Sequence, residues 1–246
     1  MNGVLGIVES RLPHVLEQRP IYWTALAEAC AAAPPPYGEH WYGELFRESA
    51  FDLGWLAQII VLNARKEADG ARQLWDFAKR IADASIRERV RSHAIDEARH
   101  SAFYIAMLKL MFPEALSDEQ EQFLRDYVPK FDRQDAVLED ELASRHEILD
   151  EIVQMNIGEI RTLVNQMLMR PLVDILTPEE NRERALKLID GLGDDEVAHI
   201  GYTADVIDEL GEDEATRYFM NARLREFNDI THRELRGSNG AAPIFE

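Results

Sequence analysis

With Cys30 as its single cysteine, the chain cannot form an intramolecular disulfide, which excludes a disulfide-stapled fold. A lone thiol suits a reducing compartment, and in the setting Ala-Glu-Ala-Cys-Ala-Ala-Ala it reads as a small packing residue on a helix. Positive charge is scarce: 27 Lys and Arg stand against 46 Asp and Glu, for a formal net charge of −19. That balance repels phosphate backbones and anionic membrane surfaces, so neither nucleic acid nor membrane is an expected partner. No stretch approaches the roughly 20 uncharged apolar residues that a membrane span needs. The first residues, Met-Asn-Gly-Val-Leu-Gly-Ile-Val-Glu-Ser, lack the basic region and apolar run of a signal peptide, so a cytoplasmic location is expected. Long β-branched runs and Asn-Gly hairpin turns are missing too, which argues against sheet.

What is present is helical pattern. The 246 residues are 46% hydrophobic and 30% charged, and Ala, Leu and Ile alternate with Glu and Arg at helical spacing. The length suffices for one large domain, expected as 1–246, with an N-terminal extension (1–43), a core (44–210) and a C-terminal helix with a flexible tail (211–246). Pro13, Pro20 and Pro34-Pro35-Pro36-Tyr37-Gly38 divide the extension into short helices. Its aromatic residues Tyr22, Trp23, Trp41 and Tyr42 are expected to pack against the core.

Four long helices are expected next. The first runs from about Glu44 to Ile81, with Phe51, Trp55, Ile59, Leu62, Leu74 and Phe77 as its buried stripe and Gly70 as its weak point. The second starts near Asp83-Ala84-Ser85, where Ser or Asp caps it, and ends at Phe112 before Pro113. A connecting segment from Glu119 to about Tyr127 precedes the third, roughly Arg133 to Met169, which Pro171 should kink or end. Thr177-Pro178-Glu179-Glu180 has the form of an N-cap with proline at the first helical position, and opens the fourth, which runs to Leu210. Gly191 and Gly193 suggest a bend or bulge in it. A last helix, about Asp213 to Leu235, leads to a tail starting Gly237-Ser238-Asn239-Gly240 that is expected to be at least partly disordered.

One segment occurs twice. Asp96-Glu97-Ala98-Arg99-His100 and Asp195-Glu196-Val197-Ala198-His199 share Asp-Glu-x-x-His, on the second and fourth helices. Residues three apart on a helix face the same side, so each copy aims a carboxylate and an imidazole at one point. In so acidic a chain, Glu three residues before a given His arises by chance about once in ten, and Asp-Glu about once in a hundred. Two copies among seven histidines therefore point to a metal site rather than to solvated helix faces.

With these motifs on four long helices, the region from about 44 to 210 resembles the ferritin-like di-iron carboxylate superfamily. The resemblance implies an all-α fold, a ferritin-like four-helix bundle with additional N- and C-terminal helices. It also implies two iron ions, with Mn/Fe as a variant, held by Glu-x-x-His from two helices and one carboxylate from each of the other two. Glu97, His100, Glu196 and His199 are then metal ligands. On the first helix the partner should lie as far before the turn near residue 82 as Glu97 lies after it, which is Glu67. Its helical neighbours Ile60, Asn63, Ala71 and Leu74 form a mostly uncharged face. On the third helix the candidates are Glu147, Glu151 and Glu159. Glu159, flanked by Ile152, Met155, Leu163 and Gln166, is preferred, and Glu151 is the alternative.

In the resembling oxygenases the aspartate before each motif Glu supports the histidine of the other copy, which implies Asp96 for His199 and Asp195 for His100. His93, four residues before Glu97, is a further ligand or supporting group. Tyr104, four after His100, is either a core tyrosine or an electron or proton donor, the latter because the ribonucleotide reductase small subunit has its radical tyrosine at the corresponding place. The activity so implied is a non-heme di-iron oxygenase or oxidase that activates dioxygen against a small organic substrate, by hydroxylation, N-oxygenation or oxidative cleavage. The partners would be that substrate, dioxygen, an electron donor and a second copy of the chain. The alternatives are ferroxidase or iron handling, and a radical-generating subunit.

Overall fold

The computed structural model describes residues 3–132 and 138–237. Ten α-helices and one 3-10 turn account for the regular structure of those residues, and no strand occurs among them. In order these are α1 (Val4–Arg11), α2 (Val15–Gln18), α3 (Pro20–Ala32), the 3-10 turn Pro36–Gly38, α4 (His40–Ser49), α5 (Leu53–Lys79), α6 (Ala84–Met111), α7 (Asp118–Tyr127), α8 (Arg145–Leu176), α9 (Glu179–Leu210) and α10 (Asp213–Gly237). No helix among the described residues is long and apolar enough to cross a membrane. The expected tail beyond Gly237 lies outside them, as does Arg133, the expected start of the third long helix.

Contacts divide the chain into two compact units, and the division falls inside α8 and α9. One unit comprises Ser49–Ala143 and Met169–Asp195. Its frame is the pair α5 and α6, joined by residues 80–83 and buried along Leu56, Ile60, Ala64, Ala68, Ala71 and Ala78 on the first and Ile86, Val90, Ala94 and Ala98 on the second. Small alanines along both stripes let the backbones approach, and the long apolar side chains fill the ends. Asp83 caps α6 by accepting from the Ser85 and Ile86 amides at 2.8 and 2.9 Å. Ser117 and Gln120 form a capping box on α7. The far end of α7 is tied to α5 through Tyr127, whose hydroxyl donates to Asp69 (2.7 Å) and whose ring lies under the Arg72 guanidinium at 4.5 Å.

The other unit comprises Met1–Glu48, Ser144–Leu168 and Glu196–Glu246. Here α3 lies against α9 and α10: Arg19 donates to Asp205 (2.6 Å), the Tyr22 amide to Asp208 (2.8 Å) and Asn228 to the Ala33 carbonyl (3.0 Å). Arg223 grips both carboxylate oxygens of Asp150 at 2.8 and 2.7 Å, fixing α10 to α8.

The short helices of the extension, α6 and α10 fall close to where the residue pattern places them, and the expected connecting segment from Glu119 to Tyr127 is itself helical, as α7. Several expectations are corrected. The stretch from Glu44 to Ile81 is two helices, because Asp52 turns its carboxylate to the amides of Gly54 and Trp55 (2.9 and 3.2 Å) and so starts a new helix. Phe51 sits in the break and is 88% exposed, and Leu62 is also exposed. Leu74 is buried as expected, but the rest of the buried stripe runs through Leu56, Ile60, Ala64 and Glu67, while Trp55, Ile59 and Phe77 are only half-buried. Trp41 is exposed rather than packed.

The third long helix begins at Arg145 behind a reciprocal cap, in which Ser144 N–H donates to Glu147 (2.7 Å) and Glu147 N–H to the Ser144 hydroxyl (3.3 Å). It passes through Pro171 to Leu176. Pro171 and Met167, whose carbonyl loses its partner to the missing N–H, both lie on the exposed face, where the carbonyl is open to solvent. Thr177 does not cap α9; its hydroxyl donates back to the Val173 carbonyl (2.6 Å) at the end of α8. The helix α9 runs through Gly191 and Gly193 without interruption, since burial along a helix this long outweighs a cost of about 1 kcal/mol per glycine.

Candidate metal centre

The first Asp-Glu-x-x-His lies in the middle of α6. Helical spacing puts His93, Glu97 and His100 on one face, and all three are buried. Glu67, buried on α5, meets them: Glu67, Glu97 and His100 each offer a ligand atom within 4.8 Å of the others'. Glu97 Oε1 is 3.3 Å from His100 Nδ1 and 3.3 Å from His93 Nε2. Gly70, one turn beyond Glu67, passes so near that a Cβ there would stand 3.7 Å from Glu97 Oε2. A side chain at this position would stand in ordinary van der Waals contact with the motif glutamate.

Behind His100 the far ring nitrogen is held. Nε2 lies 3.1 Å from Asp195 Oδ2, the pairing that the resemblance implies. Arg99 closes the arrangement, reaching Asp195 (2.8 Å) and Asp96 (2.8 Å). With the ring clamped in this way, Nδ1 is directed at the glutamates. Burial alone would lower the His100 pKa, but the hydrogen bonds to Asp195 and Glu97 raise it to about 9. Asp195 is lowered to about 2, chiefly by its bond to His100 and then by Arg99, against burial. Burial pushes Glu97 upward, and its bonds to Glu67, His100 and His93 outweigh that, holding it well below the usual carboxylate range.

The second copy supplies the corresponding pair in the other unit. Glu196 and His199 are buried, with His199 Nδ1 3.4 Å from Glu196 Oε2. Glu159, half-buried on α8, offers a carboxylate oxygen within 4.8 Å of a His199 ring nitrogen. Glu151 lies two turns earlier on α8 and Glu147 is taken up in the cap at its start. Two residues to which sequence reasoning gave no role complete this part. The Gln166 amide donates to Glu196 Oε1 at 2.7 Å, and Thr203, which accepts from Asn156 (2.9 Å), donates to the His199 carbonyl (2.7 Å). Gln166 was visible only as an uncharged neighbour of Glu159 at helical spacing. Tyr104 is fully buried on α6, one turn beyond His100.

The donor set can be tested against a metal. Ligand atoms about 2.0–2.2 Å from an ion and about 90–110° apart around it stand about 3.0–3.5 Å from one another. The carboxylate–imidazole separations of 3.3, 3.3 and 3.4 Å fall in that range. Buried carboxylates with imidazoles are also the chemistry that a divalent first-row ion selects. The His/Glu clusters can therefore hold metal, and the residues fit. No family model matches this chain, and comparison with curated proteins and with solved structures returned no match either. The resemblance to ferritin-like proteins rests on the residues themselves.

Proposed function

We propose that Glu67, Glu97 and His100 together with Glu159, Glu196 and His199 hold a dinuclear iron centre in a ferritin-like bundle. In this reading the chain is a non-heme di-iron oxygenase or oxidase acting on a small organic substrate. The observation that carries it is the buried Glu67, Glu97 and His100 set, in which His100 turns Nδ1 to the glutamates and gives its other nitrogen to Asp195. A histidine whose far N–H is fixed on a carboxylate is oriented, and made more basic, as a ligand.

The four carboxylates Glu67, Glu97, Glu159 and Glu196 would formally balance the charge of two divalent ions. The chemistry that two iron ions held by these residues would supply is two-electron reduction of dioxygen, as hydroxylation, N-oxygenation or oxidative cleavage requires. Asp195 supports His100, the resemblance gives Asp96 the same kind of role, and His93 stands by as an additional nitrogen donor beside Glu97. Tyr104, one turn from His100, is placed to pass an electron or proton. The Asp-Glu-x-x-His form of both motifs favours an oxygenase over iron storage, and an external electron donor belongs to the reading.

The test is anaerobic titration with Fe(II) followed by exposure to oxygen. Two ions per chain and a transient visible absorption are expected. No uptake overturns the metal reading, while uptake of hundreds of ions per assembly selects storage, and a sharp tyrosyl-radical resonance selects a radical-generating subunit. Replacing Glu159 by Gln should remove one ion, whereas Glu151→Gln should leave the stoichiometry at two.

A further inference from the structure

The two motif glutamates are not held alike. Glu97 presents Oε1 to two imidazoles and lies beside Gly70. Glu196 instead has Oε1 bound by the Gln166 amide at 2.7 Å and Oε2 at 3.4 Å from His199 Nδ1. Both Gln166 and Glu196 are out of solvent, at 2% and 0% exposure, so this contact is made in a region of low dielectric.

We propose that Gln166 is a positioning residue that reserves one oxygen of Glu196 for itself and turns the other to the metal. The proposal rests on the dinuclear reading above. A carboxylate only accepts hydrogen bonds, so the amide faces it with nitrogen; the flipped amide would set two oxygens against each other. Glutamine does this without adding a charge, where a glutamate at 166 would repel Glu196 and a lysine would compete with the ion. Its place follows from the helix: Gln166 is seven residues, close to two turns, beyond Glu159, so the carboxylate and the amide leave α8 on one face. The bond to a charged acceptor is of the stronger class, and it fixes a side chain that would otherwise rotate between one- and two-oxygen binding. The consequence is an inequivalent pair of positions, the one served by Glu196 having a single fixed oxygen from it.

Gln166→Met keeps the length and shape of the side chain and removes the donor. Co(II), titrated anaerobically and followed by its visible d–d absorption, reads both ions without needing turnover. Wild type should take up two ions per chain. In the variant one ion should bind about 10–100-fold more weakly, with an altered spectrum, while the other keeps its affinity. Circular dichroism on the same samples establishes that the variant is folded. Should it fail to fold, Gln166→Asn, which keeps the amide but withdraws it by one methylene, carries the same expectations. Two unchanged affinities with an unchanged spectrum overturn the proposal alone, as does equal weakening of both ions. If wild type binds no Co(II), the dinuclear reading falls and this one with it.

Discussion

At the scale of single residues, the pair His100 and Asp195 makes metal-free stability depend on pH. His100 stands at about 9 against an ordinary 6.5, so its contribution is complete below pH 6.5 and is lost as the pH rises through 9. Asp195 stands at about 2 against 3.8, so its contribution is present above pH 3.8 and is lost as the pH falls through 2. Thermal melts of chelator-treated protein should therefore decline between pH 6.5 and 9, and Asp195→Asn should flatten that decline. Because metal at His100 Nδ1 displaces the proton, metal affinity should rise over the same interval. That Glu97 meets His100 and Glu196 meets His199 was legible from spacing alone, and that Glu67 joins the first pair from the position of a turn. Gln166 was not, because an amide carries no pattern until the helix facing it is in place.

Helices were easier to read than their ends. Periodicity located the bodies of α5, α6, α8 and α9, but a single aspartate, Asp52, decides that α4 and α5 are separate, and it sits inside a pattern that continues on both sides. Asp52→Ala should lower stability by about 1 kcal/mol, the usual worth of a side-chain cap, as read by urea denaturation. Pro171 was the opposite case: a residue that usually stops a helix is carried through because the face that loses its bond is the exposed one. Pro171→Ala should restore a backbone donor and stabilise α8, by no more than about 3 kcal/mol. Of the expected stripe only Leu74 is buried on α5; Phe51 lies in the break before the helix, and Trp55 and Ile59 lie on a different face from Glu67.

For the whole molecule, the proposed centre couples metal loading to the stability of the folded chain. Metal that binds the folded chain but not the unfolded one stabilises it by mass action, about 2.7 kcal/mol at a hundredfold excess over Kd. Loading should raise the melting temperature by several degrees, and a chelator should reverse the gain. The buried cysteine supplies a way to watch this. Cys30 is 8% exposed, and burial pushes its thiol up to about 12, so at neutral pH almost none of it is the reactive thiolate. The native chain is thus silent toward alkylating reagents, and each labelling event records an opening of the helices around α3. One natural atom of sulfur becomes a clock for unfolding, and with no engineered probe its rate can be compared before and after metal is added.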